Sequence, residues 1–231
     1  MLFVLVHGDW HGGWCWGRLI PELEAAGHEA LAVDLPIEDV AAGCMRYAAV
    51  VLEALADARN AVLVGHSTGG LIIPLVAAAG PLRRLIFLCA LLPRPGLSLE
   101  EQFGPEPDIS TDPRGLAFVR DVDGFTFWPD AERAAEGMYH DCDPADSRWA
   151  FARLRRQAPT PAQEACPLRR LPDVPTSYFL CSADRMVNPD WSRRAARARL
   201  GVEPRVLPGG HSPMLSRPRA LAEALLAEAE G

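Results

Sequence analysis

Compact apolar stretches recur along the first part of the chain: LFVLVH (2–7), EALAVD (29–34), AVLVGH (61–66) and RLIFLCA (84–90). Runs this short and this apolar predict strands covered on both faces. Between them, 16–26, 38–59 and 68–79 carry helical spacing, with Ala, Leu and Val at i, i+3 and i+4 across 38–59. Strand alternating with helix predicts parallel strands joined by right-handed crossovers. The rhythm stops after 91. From 92 to 168 proline, charge and aromatics dominate, with helical spacing only near 144–157, yet FTFWP and SRWAFARL hold too much apolar surface to remain in water. This segment reads as an inserted cap and not a linker. The alternation resumes with a strand at TSYFLCS (176–182), a helix over 189–200, a strand at EPRVLP (203–208) and a helix over 213–229. The expected fold is α/β, with about six mostly parallel strands flanked by helices. Its core would comprise 1–91 and 169–231.

At 231 residues, 49% hydrophobic and 23% charged, the chain has the mixture of one globular domain. A net charge of −7 and the lack of any basic tract argue against nucleic acid as a partner. The apolar runs fall short of the roughly 20 residues that span a bilayer, and LFVLVH follows no basic leader, so no membrane association and a cytoplasmic location are expected. The six cysteines lack CxxC spacing, which disfavours zinc and suggests buried thiols. All 23 basic residues are arginine, a pattern that carries no functional message.

The chemistry begins with GHSTG (65–69), placed where a buried strand gives way to a helix. Glycines there permit a sharp turn that exposes the Ser67 hydroxyl above the sheet, although an ordinary glycine-rich turn has the same composition. A serine needs a base to take its proton, and the base needs a carboxylate to fix its tautomer. Following a strand, SADRMVNP supplies Asp184, with Asp173 and Asp190 as competing acids. After the last strand, LPGGHSPM supplies His211. Both would sit at strand C-terminal ends, where open α/β sheets gather their sites.

Taken together, FVLVHGDWHGGWCW, GHSTGG, SADRMVNP and GGHSPML, along with YHDCDP in the insertion, resemble the α/β-hydrolase superfamily and its methylesterase and hydroxynitrile-lyase branch. The resemblance runs along essentially the whole chain. It implies a catalytic Ser67–Asp184–His211 triad and an oxyanion hole built from the backbone N–H groups of Asp9 and Thr68. His7 and Trp14 would pack to fix the oxyanion loop; a metal held by His7 and His11 would lack a third ligand. No cofactor is implied. Trp10, Trp128, Tyr139 and Met214 are expected to bind substrate, with Trp149 and Leu215 as further lining candidates. His140 and Asp141, adjacent in the cap, read as a helix cap or a surface pair.

Two departures stand out. Relatives usually carry a small residue where this chain has Asp9, so its carboxylate should turn away from the oxyanion or serve an unusual substrate. Hydroxynitrile lyases of the branch have threonine and lysine where this chain has Gly8 and Ser212, which disfavours cyanohydrin cleavage. The resulting expectation is a serine carboxylesterase acting on a small, largely apolar ester. The same triad redirected to non-hydrolytic or C–C bond chemistry, or a hydrolase-fold ligand receptor, are the alternatives. Relatives often pair, which makes a homodimer an option.

Overall fold

The computed structural model describes residues 1–56, 58, 60–112 and 118–230. A six-stranded, wholly parallel sheet forms its centre: β1 (Leu2–Val6), β2 (Glu29–Val33), β3 (Val62–His66), β4 (Arg84–Leu88), β7 (Thr176–Cys181) and β8 (Arg205–Leu207), in the order β2-β1-β3-β4-β7-β8. Successive side chains in the inner strands divide between two cores, as the two-residue period of a strand requires. Val4, Val6, Leu63, Leu85, Phe87, Tyr178 and Leu180 face one side. Phe3, Leu5, Val62, Val64, Ile86, Leu88, Phe179 and Cys181 face the other.

Helices cover both faces. α2 (Cys44–Leu55), α3 (Gly69–Ala77) and α8 (Pro189–Ala195) close the first core. A 3-10 turn (Gly13–Trp16), α1 (Leu19–Ala25) and α10 (Pro218–Glu230) close the second. β8 is only three residues long, which limits the open edge it offers to other strands.

Several predicted helices are shorter or broken, each at an identifiable point. The 16–26 stretch splits into the 3-10 turn and α1 around Gly17. α2 starts only at Cys44, because Asp39 Oδ1 accepts from Ala41 N–H and ties the preceding residues into a turn. Positions 57 and 59 of that prediction lie outside the described residues. The final helix becomes α9 (Pro213–Ser216) and α10, since Pro218 drives Arg217 out of helical geometry, to φ −145° and ψ 52°. The 189–200 helix keeps its length but widens into a π turn over Ala196–Leu200, ending at left-handed Gly201.

Between β4 and β7 the chain forms α4 (Leu99–Gln102), a short antiparallel pair β5 (Val119–Arg120) and β6 (Thr126–Phe127), α5 (Ala131–Met138), α6 (Pro144–Phe151) and α7 (Thr160–Gln163). Helix α6 stops at Phe151, well before 157, because Gln157 pairs in extended form with Thr126. Residues 113–117 of this segment lie outside the described residues. Among the described residues no helix is long and apolar enough to cross a membrane.

Candidate active site

Sheet order reverses direction at β1: the chain runs from β1 to β2 on one side and returns to β3 on the other. The C-terminal ends of β1 and β3 therefore open onto a crevice at the switch point, the usual ligand position in open α/β sheets. Gly8 and Asp9 leave β1 there, and Ser67 leaves β3 directly opposite.

Ser67 has φ 54°, a left-handed backbone that a side-chain-bearing residue adopts only where its surroundings enforce it. Three contacts enforce it: Ser67 N–H donates to Leu88 O (3.2 Å), and Ser67 O accepts from Gly70 N–H (3.0 Å) and Leu91 N–H (2.9 Å). The glycines serve close approach. A Cβ at Gly65 would lie 2.8 Å from Gly69 O, and one at Gly69 would lie 2.7 Å from Val6 O. One at Gly8 would stand 2.6 Å from Ser67 Cβ and 3.2 Å from its Oγ, closing the space above the hydroxyl.

Asp184 and His211, 6% and 2% exposed, sit in the loops after β7 and β8. His211 Nδ1 lies 3.0 and 2.9 Å from the two carboxylate oxygens of Asp184. A carboxylate accepts, so Nδ1 carries the proton and the neutral ring keeps Nε2 as its basic nitrogen. Asp184 Oδ1 also accepts from Met186 N–H (2.8 Å) and Val187 N–H (3.0 Å), which anchors the acid to its own loop. His66, next to Ser67, donates from Nε2 to His211 O (2.8 Å), and the two rings lie 4.6 Å apart. The serine turn and the histidine loop are thereby joined directly. Asp173 and Asp190 have no such contact with His211.

The loop after β1 is held from both sides. Leu35 N–H donates to His7 Nε2 (3.0 Å), so Nδ1 bears the proton and donates to Gly8 O (2.8 Å). His11 Nδ1 donates to Asp9 O (2.8 Å) while the Tyr139 hydroxyl reaches its Nε2 (2.8 Å). Burial pushes His11 down to about 3, so it stays neutral. With both ring nitrogens of each histidine engaged by protein groups, neither has a lone pair to spare for a metal. Among the described residues, neither the Asp9 nor the Thr68 backbone N–H is taken by a protein acceptor. The Thr68 hydroxyl donates to Asp9 Oδ1 (2.8 Å), turning that carboxyl toward Thr68. Burial pushes Asp9 up to about 6, against the opposing pull of the Thr68 hydroxyl and His211.

Above Ser67 opens a cleft enclosing about 920 Å³ when its open mouth is counted. Asp9, Ser67 and Thr68 lie on its floor; Leu71, Leu91, Leu99, Ile109, Phe118 and Val187 supply apolar wall. Of the four residues expected to bind substrate, Trp10 borders this space. Its indole donates to Thr126 Oγ1 (3.0 Å) and packs against Phe118. Trp128 stands behind Trp10 in an edge-on contact at 5.5 Å, and Tyr139 is spent on His11. Met214 is fully buried beside Leu215 in the second core. Those three belong to the second core and do not border the cavity. Trp149 lies at the outer surface, 39% exposed, against Trp14 and under Arg153.

Four residues of the β4–β7 segment reach the site in roles the sequence did not predict. Arg155 donates to His11 O (3.1 and 2.7 Å), Asp34 Oδ1 (3.1 Å) and Leu35 O (3.2 Å), and its own N–H bonds Trp10 O (2.8 Å). His140 Nε2 donates to Ala183 O (2.9 Å), beside Asp184. Asp141 Oδ2 accepts from Gly210 N–H (2.9 Å), beside His211. His140 and Asp141 are thus neither a helix cap nor a surface pair; they span the two loops that carry the acid and the histidine. Gln157, 4% exposed, borders the cavity near Asp9.

Comparison with known proteins agrees with this architecture. The model of the Alpha/beta hydrolase family matches residues 3–224. Methylesterase 2 of Arabidopsis thaliana is 28% identical over 99% of this chain and 95% of its own. Salicylic acid-binding protein 2 of Nicotiana tabacum is 28% identical over 97% and 95%. Among solved structures, a pyrethroid hydrolase from Sphingobium faniae JZ-2 superposes with a TM-score of 0.84 at 26% identity, covering 100% of this chain and 98% of that one. The crossover sheet, the strained serine after β3 and a match that spans nearly the entire chain lead to one conclusion: the protein belongs to the alpha/beta hydrolase family and is a hydrolase.

Proposed function

We propose that the protein is a serine carboxylesterase that cleaves a small, largely apolar ester through an acyl-enzyme on Ser67. The observation that carries this reading is the buried His211–Asp184 pair, linked through His66 to a serine in a left-handed turn. His211 Nε2 takes the Ser67 proton as Oγ bonds to the ester carbon, and the carbonyl oxygen, now negative, accepts from the Asp9 and Thr68 N–H groups. Collapse of that intermediate expels the alcohol, which leaves with the proton from His211. Water then repeats the sequence: His211 takes its proton, the acyl–Ser67 bond breaks, and carboxylic acid and free serine result. Residues 92–168 act as a cap whose apolar wall excludes water and strengthens these charge interactions. The esterase names among full-length relatives support the choice of bond.

Reaction with a fluorophosphonate, followed by intact mass, tests the nucleophile, alongside turnover of p-nitrophenyl acetate and butyrate. One adduct on the wild type, none on Ser67→Ala, and Ser67-dependent turnover are expected. Labelling without turnover would overturn the hydrolytic reading and favour redirected chemistry or a ligand receptor.

A further inference from the structure

Most of the cavity wall is apolar, yet two acceptor groups stay unspent there, one on its floor and one buried in a residue that borders it. Asp9 Oδ1 is occupied by the Thr68 hydroxyl, while Oδ2 has no protein donor among the described residues. Gln157 is the second. Its Nε2 donates to Ala158 O (2.9 Å) and reaches Tyr47 Oη (3.4 Å); since a carbonyl oxygen can only accept, these bonds fix which end of the amide is nitrogen. Its Oε1 is left buried without a partner. Asp9 and Gln157 also share a narrow cleft with Tyr47 and Thr68 below the main cavity, so they face common space. A buried amide oxygen without a donor is costly, on the order of a kcal/mol or more, and is rare unless a ligand or water completes it.

Resting on the esterase reading above, we propose that Asp9 and Gln157 form an acceptor subsite beside Ser67 for esters carrying a hydroxyl or amine donor next to the scissile carbonyl. Asp9 supplies one of the two N–H groups that would face the carbonyl oxygen, so a donor on the adjacent carbon would fall nearest its carboxylate. The same pair rejects esters that carry an anion at that position, because a carboxylate facing a carboxylate raises the energy of both. Among the described residues, the arginine that borders the cavity, Arg120, is paired with Glu100 (3.6 Å) at the same rim and so is already matched. An apolar pocket with a few placed polar groups discriminates strongly for the partner those groups lack.

Methyl 2-hydroxybutanoate and methyl butanoate differ by the single hydroxyl in question. Their affinities for the Ser67→Ala protein, measured by NMR titration, read the subsite without chemistry, and kcat/KM values for the wild type, each divided by the rate with hydroxide ion, read it during turnover. A preference of about tenfold or more for the hydroxy ester is expected, falling toward one in Asp9→Ala and lowered in the near-isosteric Gln157→Met. Equal affinity for the two esters, or a preference that survives both substitutions, would overturn the subsite. A binding preference with no Ser67-dependent hydrolysis of either ester would leave the subsite standing and overturn the esterase reading.

Discussion

The floor and the roof of the cavity differ in how densely they are fastened. The floor consists of strand ends packed so closely that glycine is required at Gly8, Gly65 and Gly69, and its backbone is pinned by main-chain hydrogen bonds. The roof is a long segment between β4 and β7 fastened at scattered points, by isolated backbone bonds such as Arg155 N–H to Trp10 O and Ala158 N–H to Ile37 O and by side chains: Arg155 on the loop after β1, His140 and Asp141 on the acid and histidine loops, Trp10 on Thr126. Backbone pinned at short range can hold reacting atoms to a fraction of an ångström, whereas contacts scattered along a long segment can be rearranged with less disturbance. The difference assigns reaction geometry to the floor, and substrate choice and loop alignment to the roof.

Substitutions on the floor should have the largest effects. Ser67→Ala is expected to lower ester turnover by about 10⁴-fold or more while the melting temperature stays within a few degrees. Residual activity near the wild-type rate would break the assignment of chemistry to the floor. Asp184→Asn should cost about 10³- to 10⁴-fold in kcat, since an amide in its place no longer fixes the Nδ1–H tautomer of His211. Steady-state rates measured beside circular dichroism of each variant separate lost chemistry from lost fold.

Asp141→Ala sharpens the comparison from the roof. Removing the Gly210 acceptor should loosen the loop of His211 and reduce kcat about 10- to 100-fold with KM little changed, while Asp141→Asn, which keeps an acceptor oxygen, recovers most of the rate. A fall in thermal stability with kcat intact would mean that this contact only holds the roof down.

How much of each region could be read beforehand follows the same division. The inner strands were legible because residues such as Val4 and Leu5 are buried on opposite faces, leaving unbroken apolar runs. Ser67 was legible because its turn needs glycines at fixed offsets, and Asp184 and His211 because each follows a strand. The roof does carry local signals at the starts of two helices. Ser98 and Glu101 form a reciprocal capping box at α4, and Asp130 caps α5 by accepting from Arg133 N–H (2.8 Å). Arg155 and Gln157 left no such trace, and His140 and Asp141, though visible within YHDCDP, gave no sign of their partners. Arg155 meets His11 across 144 residues of chain and Asp141 meets Gly210 across 69, so their partners are chosen by tertiary packing that no local spacing records. That Trp128, Tyr139 and Met214 join the second core and do not line the cavity is equally decided by tertiary packing.

The smallest expected effect concerns the one floor residue whose charge works against its surroundings. Asp9 has an ordinary value of 3.8 and is pushed to about 6 in the fold, so its protonated form is favoured there. Below pH 4 the carboxyl is neutral folded or unfolded and the difference vanishes. As pH rises through 6 the unfolded chain has already given up the proton, so this stability is lost, with an upper limit of about 3 kcal/mol. His11 acts in the opposite sense: neutral in the fold down to about 3 but ordinarily titrating at 6.5, it removes stability as pH falls below 6.5. Asp9→Asn isolates the first contribution, because an amide cannot ionise yet can still accept from the Thr68 hydroxyl. The variant should melt a few degrees above the wild type at pH 8, by roughly 1 to 3 kcal/mol, and should match it near pH 4. An offset identical at both pH values would place the cost of Asp9 in its packing rather than its charge, and the floor would then carry no electrostatic tension for a donor-bearing substrate to relieve.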